Sequence, residues 1–291
     1  MRWLKFLIVL ALAAAIFGTT GFFAYKLFIQ PAKLERADAV AQAKQQAMPN
    51  ATPTPIPDYS LPVLEKALAL KKAGKLPEAR EALLTFIAGY PQSTKLADAK
   101  AALGEINTHF VFTDTPGPEK LDYVVMSGDS LVKIAAKTKS NAELILRSNN
   151  LATIDLQIGQ HLLIPQIDPS LVIDRNARTL SLMDKGNLFK EYPLMALDLP
   201  ATARGKQPVS TKVTDKVAVN GTQRVAFGAR DYLGSERWIM LGIPNAIIRG
   251  KLDIDPATGQ PPATPPGIIL SQENMDEIFP LVSRGTPVTI Q

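Results

Sequence analysis

Cysteine is absent from the chain, and histidine occurs only as His109 and His161. The first absence excludes disulfides, thiolate metal sites and thiol nucleophiles together. It also excludes lipid attachment through an acylated cysteine. The second leaves little imidazole for general-base chemistry. A strong charge bias is lacking too, with 32 Lys/Arg against 27 Asp/Glu for a net +5. Residues 1–59 hold six basic and three acidic side chains and so carry +3 of that excess. The remainder is close to neutral, which argues against a nucleic-acid surface. Asp253 and Asp255, near Pro256 and Gly259, lack the third ligand and closing glutamate of a calcium loop and read as solvated. No metal and no cofactor are expected.

What is present begins with an uncharged run from Phe6 through Tyr25. Twenty residues at about 1.5 Å each span roughly 30 Å, the hydrocarbon thickness of a bilayer. Trp3 at one end and Phe22, Phe23 and Tyr25 at the other suit interfacial anchors, and Lys26 ends the segment. Small-residue triplets around Ala11 to Ala15 also fit a cleaved signal peptide. Cleavage there leaves a further apolar run on the mature chain, so an uncleaved anchor is expected, its short amino end in the cytoplasm. Residues 1–30 are therefore read as cytoplasmic tip and transmembrane segment. Residues 31–59 are read as an Ala-rich and then Pro-rich linker, stiff and without a core.

Residues 60–112 read as helices. Leu64, Ala67 and Leu68 precede Ala73-Gly74. Leu76, Ala79, Leu83 and Phe86 follow and stop at Tyr90-Pro91. A third run passes through Leu96, Ala99, Ala102, Leu103 and Ile106. The spacing around Ala67, Gly74, Leu76, Ala79, Leu83 and Pro91 resembles one tetratricopeptide-like repeat. A single helix pair does not bury both its faces, so a three-helix spacer and a partner-binding groove within 61–107 both stand. Thr113 to Pro118 reads as a hinge.

The most specific stretch lies between Tyr123 and Pro165. A short alternating strand, Tyr123 to Met126, breaks at Ser127-Gly128-Asp129-Ser130. Leu131, Ile134 and Ala135 then take the spacing of a helix's buried face. A second helix starts at Ser140 or Asn141 as N-cap, turns Leu144, Ile145 and Leu146 inward, and ends at Asn149-Asn150. Ile158-Gly159-Gln160 turns into a last strand, Leu162 to Ile164. This strand–helix–helix–strand order over 121–166 resembles the LysM domain, an α+β module. The resemblance implies binding of N-acetylglucosamine-containing glycans, chiefly peptidoglycan, in a shallow groove between two loops. Mapped onto this chain, those loops carry Gly128, Asp129, Ser130 and Leu131 on one side. Asn150, Leu151, Ala152, Thr153 and Ile154 stand on the other.

Residues 169–291 read as mostly β. Strands are expected at Leu171 to Asp174, Thr179 to Met183, Leu188 to Ala196, Lys212 to Val219, Arg237 to Leu241 and Val288 to Ile290. The helical pattern is confined to Gln272 to Val282. The opening hairpin, Gly267-Ile-Ile-Leu-Ser271 and Arg284-Gly-Thr-Pro-Val-Thr-Ile290 resemble the L,D-transpeptidase domain of the YkuD type. That family attacks a peptide carbonyl with a cysteine thiolate beside a histidine. Here Gly267 stands at the cysteine position, Ile269 at the arginine position, and Pro244-Asn245 near the upstream histidine. Ser271 reads as a helix N-cap. Arg224, Arg230, Arg237 and Arg249 read as scattered surface charges, or as a cleft facing peptide carboxylates.

The expected whole is multidomain: a transmembrane helix, a small tetratricopeptide-like helical segment, a LysM-like βααβ module and a degenerate transpeptidase-like tail. The expected role is non-catalytic. The chain would hold peptidoglycan at the outer face of the bacterial cytoplasmic membrane as a scaffold or regulator, with cell-wall enzymes as partners through 61–107. A divergent transpeptidase with an unrecognised nucleophile is the enzymatic alternative.

Overall fold

The computed structural model describes residues 59–205, 207–221, 223–232, 234–251 and 267–291, together with Trp3 and Lys26. The expected membrane segment and the Pro-rich linker lie outside these residues, as do Lys206 and the Asp253–Asp255 loop. Among the described residues no helix is long and apolar enough to cross a membrane.

The first three helices are α1 (Ser60–Lys72), α2 (Leu76–Gly89) and α3 (Leu96–Phe112). Gly74, with φ +75°, reverses the chain between the first two, and Tyr90 caps the second. Ala67, Ala79 and Ala99 are fully buried among Leu83, Phe86 and Leu103. Such small residues let helix axes approach closely where they meet.

The strand–helix–helix–strand module follows. It comprises β1 (Lys120–Val124), α4 (Leu131–Thr138), α5 (Ala142–Ser148) and β2 (His161–Pro165). The two strands pair antiparallel, Lys120 opposite Pro165 and Val124 opposite His161. The first strand begins three residues before the expected Tyr123. Pairing continues past it, since the Val125 N–H bonds the Gln160 carbonyl and the Val125 carbonyl accepts from Gly159. Val125, Leu131, Ile134, Ile145, Leu162 and Ile164 form the module's core.

The remaining chain builds a ten-stranded mixed sheet. Its strands are β3 (Pro169–Asp174), β4 (Thr179–Asp184), β5 (Asn187–Pro193), β6 (Ala196–Leu197), β7 (Val209–Asn220), β8 (Gln223–Val225), β9 (Glu236–Leu241), β10 (Ile247–Gly250), β11 (Ile268–Leu270) and β12 (Pro287–Ile290). Their order is β5-β4-β3-β12-β7-β9-β10-β11-β6, with β8 alongside β7. The twelve residues of β7 serve both halves. Val209 to Lys212 pair with β12, and Val213 to Val219 pair with β9 across an irregularity at Val213/Asp215. An irregularity of this kind bends a strand and lets the sheet curl. Parallel pairs join β3 to β12 and β10 to β11. The helix expected over Gln272 to Val282 is α6 (Gln272–Ile278) and then a 3₁₀ turn, Phe279–Leu281.

These parts share cores. Leu144 of α5 is 1% exposed and packs in the sheet domain's core with Leu281 and Val282 rather than in its own module's. Val111 of α3 joins that same core. The Asn107 amide donates to the Phe189 carbonyl at 2.8 Å, and Lys100 pairs with Glu191 at 2.7 Å, so α3 lies along β5. The face that a lone helix pair leaves uncovered is thus covered from within the chain. The expected hinge is also braced: Lys120 donates to the Thr113 and Thr115 carbonyls, and Arg80 pairs with Glu119 at 2.6 Å. Asp58–Gln291 forms one compact unit.

Candidate functional site

The first groove loop, residues 126–130, is shaped by its own aspartate. Asp129 accepts from the Met126 N–H at 2.9 Å, from the Tyr123 hydroxyl at 2.8 Å and from the Lys137 amine at 2.6 Å. Its side chain is 3% exposed. These donors hold the carboxyl well below its ordinary range, at about 2, the Lys137 bond contributing most. Ser130 caps α4 by accepting from the Lys133 N–H, and the Lys133 amine donates to the Gly128 carbonyl at 2.7 Å. Leu131 is 2% exposed within the module core.

The second loop leaves α5 at Asn149 and Asn150, where Asn150 takes φ +51°. The Asn149 side chain latches the helix end to β2, accepting from the Leu163 N–H at 2.7 Å and donating to the Leu163 carbonyl at 2.9 Å. Asn141 caps the other end of α5, accepting from the Glu143 and Leu144 N–H groups. Asn150, Ala152, Thr153 and Ile154 are exposed, and Leu151 is half-buried against the core.

The nine residues named for the groove therefore divide by role. Gly128, Asn150, Ala152, Thr153 and Ile154 present surface, while Asp129, Ser130, Leu131 and Leu151 build the loops that carry it. Sequence reasoning missed the apolar surface beside them. Met126 is 64% and Ile158 74% exposed, at the two ends of the bridge that Val125 makes to Gly159 and Gln160. Val132 is also exposed. A strand-end methionine and a pre-turn isoleucine look like core by pattern, so exposure alone identifies them. The surface thus combines small polar side chains and unburied apolar ones. That set suits a neutral polyhydroxylated ligand carrying acyl groups.

At Ile154 the module meets the sheet domain. A Cβ at Gly228 would lie 2.8 Å from Ile154 Cδ1, and the positive φ of +88° there favours glycine. Phe227 packs against the module core and edge-on to Tyr232, ring centroids 5.3 Å apart. Behind it Glu143 of α5 accepts from the Tyr232 hydroxyl at 2.6 Å and stands 3.5 Å from Arg237. Arg237 stacks over the Tyr232 ring at 4.1 Å. Arg147 donates to the Asp276 carbonyl at 2.5 Å and lies over Phe112. Arg237 and Arg249 are therefore buried, at 3% and 9% exposure, and only Arg224 and Arg230 fit the expected surface arginines.

Gly267, which the sequence resemblance sets at a cysteine position, is tightly enclosed. Gly267 is buried, and its carbonyl accepts from the Asp198 N–H at 2.9 Å. A Cβ there would stand 2.5 Å from the Ile247 carbonyl oxygen. The strand that follows, β11, is paired on both sides, to β10 and to β6. Ser271 caps α6 by accepting from the Asn274 N–H at 3.2 Å. Among the described residues no group of His, Asp and Glu is placed to hold a metal ion.

Residues 123–165 match the family model of the LysM domain. No curated protein matches the chain. Solved structures similar to it include an L,D-transpeptidase from Mycobacterium smegmatis, 11% identical with a TM-score of 0.28, over 47% of this chain and 75% of that one. L,D-transpeptidase 1 of Mycobacterium tuberculosis is 14% identical, TM-score 0.28, over 45% and 77%. A fused zinc-dependent amidase/peptidase with a peptidoglycan-binding domain from Clostridium acetobutylicum is 11% identical, TM-score 0.29, over 43% and 52%.

Proposed function

We propose that the chain is a non-catalytic peptidoglycan-binding protein of the bacterial envelope, gripping glycan in the groove of its LysM domain. The observation carrying this reading is the exposed set Met126, Ile154 and Ile158 beside Gly128, Asn150 and Thr153. Apolar side chains there cover acetamido methyl groups while backbone amides bond their carbonyls, and a neutral sugar requires no charged partner. Phe6 to Tyr25 tethers the chain in the cytoplasmic membrane in this proposal, with the bulk of it outside. The sheet domain serves as a platform rather than an acyl-transfer enzyme, since cysteine is absent and Gly267 has no room for a side chain. Titrating the full-length chain in detergent with N-acetylglucosamine oligomers tests the groove. Saturable binding that weakens about tenfold in Ile158→Asp, a loss of about 1.4 kcal/mol, supports the reading, and absence of binding in the unaltered chain refutes it.

A further inference from the structure

Beyond Phe227 and Gly228 lies a recess of about 530 Å³ whose walls come from both domains. Glu143 contributes from α5, Lys216 from β7, and Arg224, Phe227, Tyr232 and Arg284 from the strand and loops around them. Its charges are unequal in their freedom. Glu143 is engaged by Tyr232 and Arg237, and Asp215 by Arg224 at 3.2 Å. The cations are less satisfied. Arg284 is exposed and has no ion-pair partner among the described residues. The Lys216 amine donates to the Val282 carbonyl at 2.6 Å and lies 4.3 Å from the Phe279 ring centroid. Burial pulls its ammonium down to about 7, with Glu143 opposing that shift and Arg237 adding to it. A desolvated lysine and an arginine without an ion-pair partner among the described residues, both lining one recess, favour an anion, and guanidinium pairs bidentately with carboxylate.

The recess adjoins the groove. Phe227 lines it and also packs on the module core, and the next residue, Gly228, touches Ile154. A branch leaving a glycan at Ile154 need cross only that step. We propose that this recess binds the carboxylates of an acidic peptide attached to the glycan held in the groove, a role that rests on the groove reading above. The glycan then gives affinity for the polymer, and the recess discriminates strands that carry peptides from strands that have lost them.

The test compares glycan strands bearing their peptides, the same strands after removal of the peptides by an amidase, and peptide-bearing strands with amidated carboxylates. Each is titrated into the full-length chain in detergent. The expected result is about tenfold tighter binding of the peptide-bearing strands than of the other two, as one charge-assisted contact provides. Arg284→Glu is expected to erase that difference without changing affinity for stripped strands, and its exposed position spares the fold. Lys216→Met is expected to abolish the proton uptake that accompanies binding near pH 8. Equal affinity for all three strands, or an equal loss on every strand in Arg284→Glu, overturns the proposal. If N-acetylglucosamine oligomers fail to bind while the Arg284-dependent preference remains, the groove reading falls and the recess stands.

Discussion

Asp129 holds the first groove loop from within, and its titration reports that role. A carboxyl kept at about 2 in the folded chain, against 3.8 ordinarily, adds stability that is complete above about pH 4 and lost as pH falls through 2. Acid unfolding followed by circular dichroism is expected to begin at higher pH in Asp129→Asn, whose amide no longer pairs with Lys137. Lys216 has the opposite charge but the same direction of shift. Its folded value of about 7 lies below the ordinary 10.5, so stability is greatest above 10.5 and declines as pH falls toward 7. Lys216→Met is expected to flatten that slope and to stabilise the chain at pH 6 by on the order of a few kcal/mol, measured by urea denaturation at pH 6 and 9. Gly267 is constrained by space alone. Gly267→Ala is expected to cost roughly 1–3 kcal/mol by overpacking against Ile247. Gly267→Cys is expected to be similarly destabilised and to show no acyl transfer on muropeptides by mass spectrometry. At this scale the sequence was a partial guide. Ser271 was legible as a helix cap, and Asn141 as one of two candidates with Ser140. The donors that surround the Asp129 carboxylate were not legible, because loop position does not reveal them.

α5 is the element on which the architecture turns. Capped by Asn141, its seven residues carry a module-facing Ile145, a domain-facing Leu144 and the buried carboxylate of Glu143. Glu143→Ala leaves the buried Arg237 only the Asp276 carboxylate at 3.9 Å and removes the acceptor of the Tyr232 hydroxyl, which is expected to cost roughly 3–5 kcal/mol. Leu144→Ala opens a cavity in the sheet domain's core at a cost of about 2–5 kcal/mol. Denaturant midpoints of both variants check these values, and in both the loss is expected throughout the LysM and sheet domains. Periodicity identified Leu144 and Ile145 as buried, because an apolar face at helical spacing says that much. It did not say that adjacent residues face different domains, since that depends on contacts far apart in sequence. The same limit applies to α3, whose helical pattern was plain but whose packing along β5 was not. The short strands β8, β10 and β11 were not singled out, because three or four residues carry too little alternation to mark a strand.

As a whole molecule, the described chain joins a LysM domain to a β-sheet domain through shared core, a buried charge cluster and a braced linker. The central claim is that the exposed apolar rim of the groove binds peptidoglycan. Its most direct test is co-sedimentation of the full-length chain in detergent with purified sacculi, beside a Met126→Asp/Ile158→Asp variant. Both side chains are more than 60% exposed, so the variant is expected to keep its far-ultraviolet circular dichroism. The account predicts that the unaltered chain sediments with the sacculi while the variant stays in the supernatant. Equal sedimentation of the two, or none of the unaltered chain, would contradict it.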